Sequence, residues 1–317
     1  MDQRLDAPRM QAPSVERNLG AQLRPLLTSM RPRQWAKNLL VYLAFFFTVG
    51  EHGSKGLGRE FHLFGDATLA FVLFCLLSGA TYIFNDLLDL QTDRLHPTKR
   101  ARPLASGALD TRFAATVAGG CIAVALGVGF AFDLGFGAME AIYLALTLSY
   151  SLRLKHVVIL DVMAIAGGFI LRAAAGAQAI NAPISPWLYI MTSLGALLLV
   201  LGKRRAELAA LGDDGAKHRA VLDDYTLPFI DQLVAVVAPA TVVAYALYTF
   251  TAKNLPADNS MMLTIPFVLY GVFRYLFVVR KGNLAGSPEE IFLTDLPMLI
   301  NIVLWLGTAV GILVYAR

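Results

Sequence analysis

Nine apolar stretches run through this chain, at about residues 39–50, 67–84, 113–132, 135–152, 159–180, 187–202, 233–250, 261–279 and 291–315, and they leave it few architectures. A helix crosses the ~30 Å hydrocarbon core of a bilayer with about 20 apolar residues, whereas a spanning strand needs only about 10. In lipid every backbone N–H and C=O must be bonded internally, which a helix does within itself. With 56% hydrophobic and 16% charged residues among 317, no single soluble core hides so much apolar surface. The chain is therefore expected to be an all-α integral membrane protein of nine transmembrane helices around a central cavity. The first stretch is the shortest and must borrow residues 35–38 or tilt. Residues 1–27 are polar, with Pro8, Pro13 and scattered charges, and read as a mobile amino-terminal tail ahead of a transmembrane domain over residues 28–317. That tail has no hydrophobic signal-peptide core. Cys75 and Cys121 fall inside spans, too few for a disulfide framework or a thiolate metal site.

Basic residues orient the spans. Arg31, Arg33 and Lys37 precede the first; Lys99, Arg100, Arg102 and Arg112 lie in the second connection, Arg153 and Lys155 in the fourth, Lys203, Arg204, Arg205, Lys217 and Arg219 in the sixth, and Arg280 and Lys281 in the eighth. The opposite connections carry few, namely Lys55, Arg59 and Lys253. The positive-inside rule then puts the amino terminus in the cytoplasm of a plasma (inner) membrane and the carboxyl terminus outside, and nine spans satisfy that parity. The net charge of +4 is chiefly topological and gives no reason to invoke nucleic acid.

Residues 85–107, NDLLDLQTDRLHPTKRARPLASG, set three carboxylates and a basic run at the end of the second span. If its helix continues, Asp86, Asp89 and Asp93 stand at i, i+3 and i+7 and share a face. Like charges so placed repel unless a divalent cation lies between them. Hard oxygen ligands favour Mg²⁺, which is usually held by one or two carboxylates plus substrate phosphates. Lys99, Arg100 and Arg102 follow and suit those phosphates. The alternative is a solvated helix end with a basic stop-transfer loop, for which acids so regularly spaced are unnecessary.

The same position is used again two spans later, where Tyr150, Arg153, Lys155 and Asp161 lie in YSLRLKHVVILD. A two-span repeat of this kind brings polar helix ends together across a cavity. Arg172 follows Asp161 by about three turns on one face, and an arginine at such depth faces a partner, a ligand or water. Lys203, Arg204 and Arg205 form a third cluster, readable as topology or as a phosphate clamp. Glu207, Asp213, Asp214, Asp223 and Asp224 share no helical face and read as a solvated loop. Arg33, Trp35 and Lys37 suit an interface anchor or a lipid phosphate. Gly167, Gly168, Gly176 and the neighbouring alanines let helices approach closely.

The acid-rich string resembles the first aspartate motif of the intramembrane UbiA prenyltransferase superfamily, and nine spans with polar ends after the second and fourth are similar to that family's plan. RPRQWAKNLLVY, HPTKRARPLASG, YSLRLKHVVILDV, GGFILRAAAGA and GKRRAEL resemble its decaprenyl-phosphate phosphoribosyltransferase branch, which serves mycobacterial arabinan and cell-wall synthesis. The resemblance covers nearly all the chain beyond Thr28. It implies 5-phosphoribosyl 1-diphosphate as donor, a polyprenyl phosphate as acceptor, and Mg²⁺. Carried over by motif, Asn85, Asp86, Asp89 and Asp93 form the metal-diphosphate site and Asp161 matches the second motif, although Ile165 stands where the superfamily commonly has a second aspartate. Asp86, Asp89, Asp93 and Asp161 are thus the expected catalytic acids. Lys37, Lys99, Arg100, Arg102, Tyr150, Lys155, Arg172, Lys203, Arg204 and Arg205 are the expected phosphate-binding set. An aromatic prenyltransferase would use the same Mg-carboxylate cluster, and a lipid transporter would also carry intramembrane Arg172 and paired polar helix ends. A homo-oligomer is compatible with each.

Overall fold

The computed structural model describes residues 19–45, 57–184, 186–211, 225–252, 255–281 and 291–315, and all regular structure among them is helical. Helix α1 (Leu19–Met30) leads into a 3₁₀ segment, Pro32–Tyr42. Then come α2 (Leu57–Leu88), the short α3 (Leu90–Leu95), α4 (Thr111–Phe132), α5 (Leu134–Leu152), α6 (Leu160–Ala179), α7 (Pro186–Leu211), α8 (Leu227–Thr251), α9 (Ile265–Lys281), the one-turn α10 (Ile291–Thr294) and α11 (Leu296–Tyr315). Side-chain caps set several starts. Asp110 Oδ1 accepts from the Phe113 amide at 2.9 Å, Asp133 Oδ1 from Phe136 at 2.8 Å and Thr226 Oγ1 from Phe229 at 3.3 Å, each satisfying an amide that the first turn leaves open.

Among the described residues six segments are long and apolar enough to cross a membrane: Gly58–Leu88, Thr111–Phe132, Leu160–Ala179, Leu227–Thr251, Ser260–Lys281 and Leu296–Tyr315. The chain is an integral membrane protein. Helices α5 and α7 occupy two more of the expected stretches but are not among those six; Glu140 interrupts the first, and Lys203, Arg204, Arg205 and Glu207 end the second. The first expected span continues past residue 45, outside the described residues, so the count of nine is not reached among them.

The expected tail is helical from Leu19 onward, which corrects its boundary; residues 1–18 lie outside the described residues. Leu26 and Met30 of α1 are buried with Ala80 and Ile83 of α2 and Ala114 and Ala118 of α4. The Gln22 side-chain oxygen accepts from the Asp110 amide at 3.1 Å. Apolar residues on one face dock this helix, which is too short and too mixed in composition to read as a span.

Helix α6 joins two packed halves. Its Ala175 and Ala179 lie with Phe74 and Leu77 of α2, Ala125 of α4 and Phe136 and Tyr143 of α5, while its Val162 joins Leu201 of α7, Ile230 and Val234 of α8 and Tyr275 of α9. Gly176 makes the first half possible. A Cβ there would collide with the Val41 carbonyl oxygen, so glycine lets the 3₁₀ segment lie directly on α6.

Glu140 is fully buried on α5, and neither carboxyl oxygen has a hydrogen-bond partner among the described residues. It packs against Gly129 of α4. An unsatisfied buried polar group costs roughly 1–3 kcal/mol, so Glu140→Leu is expected to raise thermal stability in detergent by about that much. A loss of stability would show instead that the carboxyl has a partner at work.

Candidate active site

The polar ends of α2, α5, α6 and α7 meet on one side of the bundle. The α2 helix breaks at Asp89, whose φ of −87° and ψ of 5° separate it from α3. The Asp89 and Asp93 amides still bond four residues back, yet the three acids have different surroundings. Asp86 and Asp93 are buried and turn inward, whereas the Asp89 side chain is 33% exposed and accepts from Lys155 Nζ at 3.0 Å and Asn85 Nδ2 at 3.2 Å. Lys155 comes from the 3₁₀ turn Leu154–His156 between α5 and α6.

Asp86 and Asp93 converge on one atom. Arg102 Nη1 lies 3.2 Å from Asp86 Oδ1 and 2.6 Å from Asp93 Oδ2. The turn Lys99–Ala101 reverses the chain to bring Arg102 back over the acids, leaving Arg100 exposed and Lys99 half-buried beside it. A second guanidinium reaches the same carboxylate: Arg31 Nη2 is 2.5 Å from Asp86 Oδ1, and its guanidinium lies 4.9 Å from the centre of the Tyr82 ring. Arg31 reads in the sequence only as topological charge. Nothing local in the sequence connects it to Asp86.

Among the described residues no three acidic, imidazole or thiol groups cluster closely enough to hold an ion. Two hard oxygens nonetheless face one cation-sized position, now filled by the Arg102 nitrogen. That donor set fits Mg²⁺, which takes its remaining ligands from water and substrate phosphate.

Asp161 is placed in a different cluster. It is fully buried; Oδ2 accepts from Arg204 Nε at 2.9 Å and Oδ1 from the Tyr225 hydroxyl at 2.7 Å. Arg204 also bonds Glu207, and its Nη2 is 3.4 Å from the Tyr150 hydroxyl. Glu207 is thus an ion-pair partner, not part of a solvated loop; Asp213, Asp214, Asp223 and Asp224 lie outside the described residues. The same Tyr225 oxygen accepts from the Ile159 amide at 2.8 Å, at the start of α6. Burial, with the bond donated to Asp161, pushes the Tyr225 hydroxyl up to about 12. A phenol held above its ordinary value of about 10 stabilises the fold below that pH and loses its contribution only as pH rises through the folded value. Tyr225 is therefore a constant neutral donor across the physiological range. Its role was invisible in the sequence because it lies 64 residues from Asp161.

The basic triplet diverges. Arg204 turns inward, Arg205 bonds Asp231 of α8 at 2.7 Å, and Lys203 is half-buried, so the three do not clamp one phosphate. Arg172 is buried and its three nitrogens each donate to protein: Nε to Asn38 Oδ1 at 2.7 Å, Nη1 to the Gly168 carbonyl at 2.8 Å and Nη2 to the Tyr143 hydroxyl at 2.6 Å. It stacks on Tyr143 as well, 4.7 Å from the ring centre. Arg172 ties α6 to α5 and to the 3₁₀ segment that carries Lys37, which is itself half-buried. Neither Asp161 nor Arg172 therefore presents an open polar face to a cavity.

Residues 39–204 match the model of the UbiA prenyltransferase family, a span that holds the acid cluster, Lys155, Asp161 and Arg172. The chain belongs to that family. The UbiA fold is shared with a UbiA homologue from Archaeoglobus fulgidus solved bound to DMAPP and Mg²⁺, at a TM-score of 0.67 and 20% identity over 92% of this chain and 99% of that one. Within the family, the decaprenyl-phosphate phosphoribosyltransferase of Mycolicibacterium smegmatis is 35% identical over 302 residues, covering 92% of each chain. The enzyme of the same name from Mycobacterium tuberculosis is 32% identical over 284 residues, covering 89% of this chain and 92% of its own.

Proposed function

We propose that this protein transfers a 5-phosphoribosyl group from 5-phosphoribosyl 1-diphosphate to a polyprenyl phosphate, decaprenyl phosphate in its named relatives, and releases diphosphate. The observation that carries this reading is the likeness along nearly the whole chain to two phosphoribosyltransferases. An acid cluster alone serves any diphosphate donor. The product would feed arabinan and cell-wall synthesis. Nine spans in the plasma membrane, with the acid cluster and amino terminus cytoplasmic and the carboxyl terminus outside, agree with the basic asymmetry of the connections.

In the reaction the bond from the anomeric carbon to the diphosphate oxygen breaks while a lipid phosphate oxygen bonds that carbon. The acceptor oxygen is already anionic at neutral pH and needs no strong base. Asp86 and Asp93 would hold Mg²⁺ with the donor, and the ion would supply Lewis-acid neutralisation of the departing diphosphate. Arg102 and Lys155, released from the acids they now pair, would bind donor phosphates, with Lys99 and Arg100 beside them. Lys37, one of two basic side chains on the 3₁₀ segment with Arg33, would receive the lipid phosphate. Asp161, Tyr150, Arg204 and Arg172 position these elements; Asn85 orients Asp89. Fixing donor and acceptor in line lowers the barrier further, because the entropy of bringing them together is lost on binding and not in the chemical step.

The deciding experiment incubates purified protein with Mg²⁺, phosphoribosyl diphosphate and decaprenyl phosphate and, separately, with a prenyl diphosphate and an aromatic acid. A lipid product of phosphoribosyl-decaprenyl phosphate mass is expected in the first mixture only. A prenylated aromatic product alone would transfer the protein to the other chemistry.

A further inference from the structure

We propose that Arg31 is a donor-binding arm: it rests on Asp86 in the free protein and shifts onto the donor's diphosphate when that carboxylate takes a metal ion. The proposal rests on the diphosphate-donor chemistry above. Arg31 lies ahead of the residues matched to the family, and its side chain is 31% exposed against 3% for Asp86, so it can exchange partners without opening the core.

Charge balance supplies the first argument. Asp86, Asp89 and Asp93 are matched by Arg31, Arg102 and Lys155, three against three. A divalent cation entering between Asp86 and Asp93 leaves the cluster positive by two charges. Only an anion restores neutrality, and the freed guanidinium groups bind a diphosphate oxygen in the fork geometry that suits it. Asp86 needs only one such partner to be satisfied, and Arg102 already provides it.

Backbone conformation supplies the second. Arg31 has φ 55° and ψ 63°, left-handed for a residue with a side chain. That conformation costs about 1–2 kcal/mol in a non-glycine residue, and Pro32 restricts the preceding backbone further. Glycine would remove the cost but cannot carry a guanidinium. The corner is held from both sides, by the Arg31 amide donating to the Thr28 carbonyl at 3.2 Å and by Trp35 Nε1 donating to the Met30 carbonyl at 3.2 Å. A strained corner so fixed is what keeps the arm aimed at the acids.

The test uses inorganic diphosphate with Mg²⁺, because its binding does not depend on which group the donor carries. Asparagine tolerates left-handed backbone, so Arg31→Asn removes the guanidinium and spares the turn; Arg31→Gly does so with still less strain. Equilibrium binding to the full chain in detergent is expected to weaken by roughly 10-fold or more in both variants, the size of one charge-assisted hydrogen bond, and Arg31→Lys should recover part of it. Steady-state kinetics should show the loss chiefly in KM for the donor. Diphosphate binding equal to wild type in a folded Arg31→Asn or Arg31→Gly protein would overturn the arm, as would lowered thermal stability with unchanged binding. A wild-type protein that makes no phosphoribosyl lipid yet loses diphosphate affinity in these variants would sink the substrate assignment and leave the arm standing.

Discussion

Alanine at Asp86 or at Asp93 is expected to reduce turnover by a factor of about 10²–10³ or more, while the protein remains folded and membrane-inserted. The two side chains supply the pair of oxygens that converge on Arg102 Nη1, and removing either leaves one carboxylate at that position. The leaving diphosphate then departs with its charge less neutralised, which raises the barrier of the chemical step itself. Asp89→Ala should lose less, because its carboxylate is turned toward Lys155 and away from that point. EDTA should stop wild-type turnover and Mg²⁺ restore it. Near-wild-type rates in both the Asp86 and Asp93 variants would remove the metal assignment.

Asp161→Ala is expected to lower stability by roughly 3–5 kcal/mol, the cost of leaving a buried charge without its partner. Arg204 is almost wholly enclosed and would keep, among the described residues, Glu207 as its acid partner, while the Tyr225 hydroxyl would lose the oxygen it donates to. Arg204→Met in the same background should return part of the loss, because the orphaned charge disappears with it. Tyr225→Phe should cost less, about 1–3 kcal/mol, since Asp161 keeps its ion pair. Thermal unfolding in detergent and donor kinetics, measured on the same preparations, separate two roles. If Asp161→Ala unfolds at the wild-type temperature but loses turnover, the carboxylate touches substrate and its structural assignment falls.

Hydropathy alone announces a helical membrane protein, because a span must be long, apolar and internally hydrogen-bonded. The acid spacing from Asp86 to Asp93 and the basic run ending in Arg102 are local in the chain, and they are legible for that reason. Helix α1 was hidden because it is short and mixed in composition, and only a few positions on one face, Leu26 and Met30 among them, decide whether it packs.

Residue type and spacing determined that this chain enters a bilayer, and they marked the end of α2 as the place where acids and basic residues gather. Tertiary structure alone decided which charge meets which. Arg31 reaches Asp86 across 55 residues, Lys155 reaches Asp89 across 66, and Arg172 reaches Asn38 across 134. A sequence lists donors and acceptors without saying which pairs are brought within about 3 Å, and in a low-dielectric interior that distance determines whether a charge binds substrate or holds two helices together.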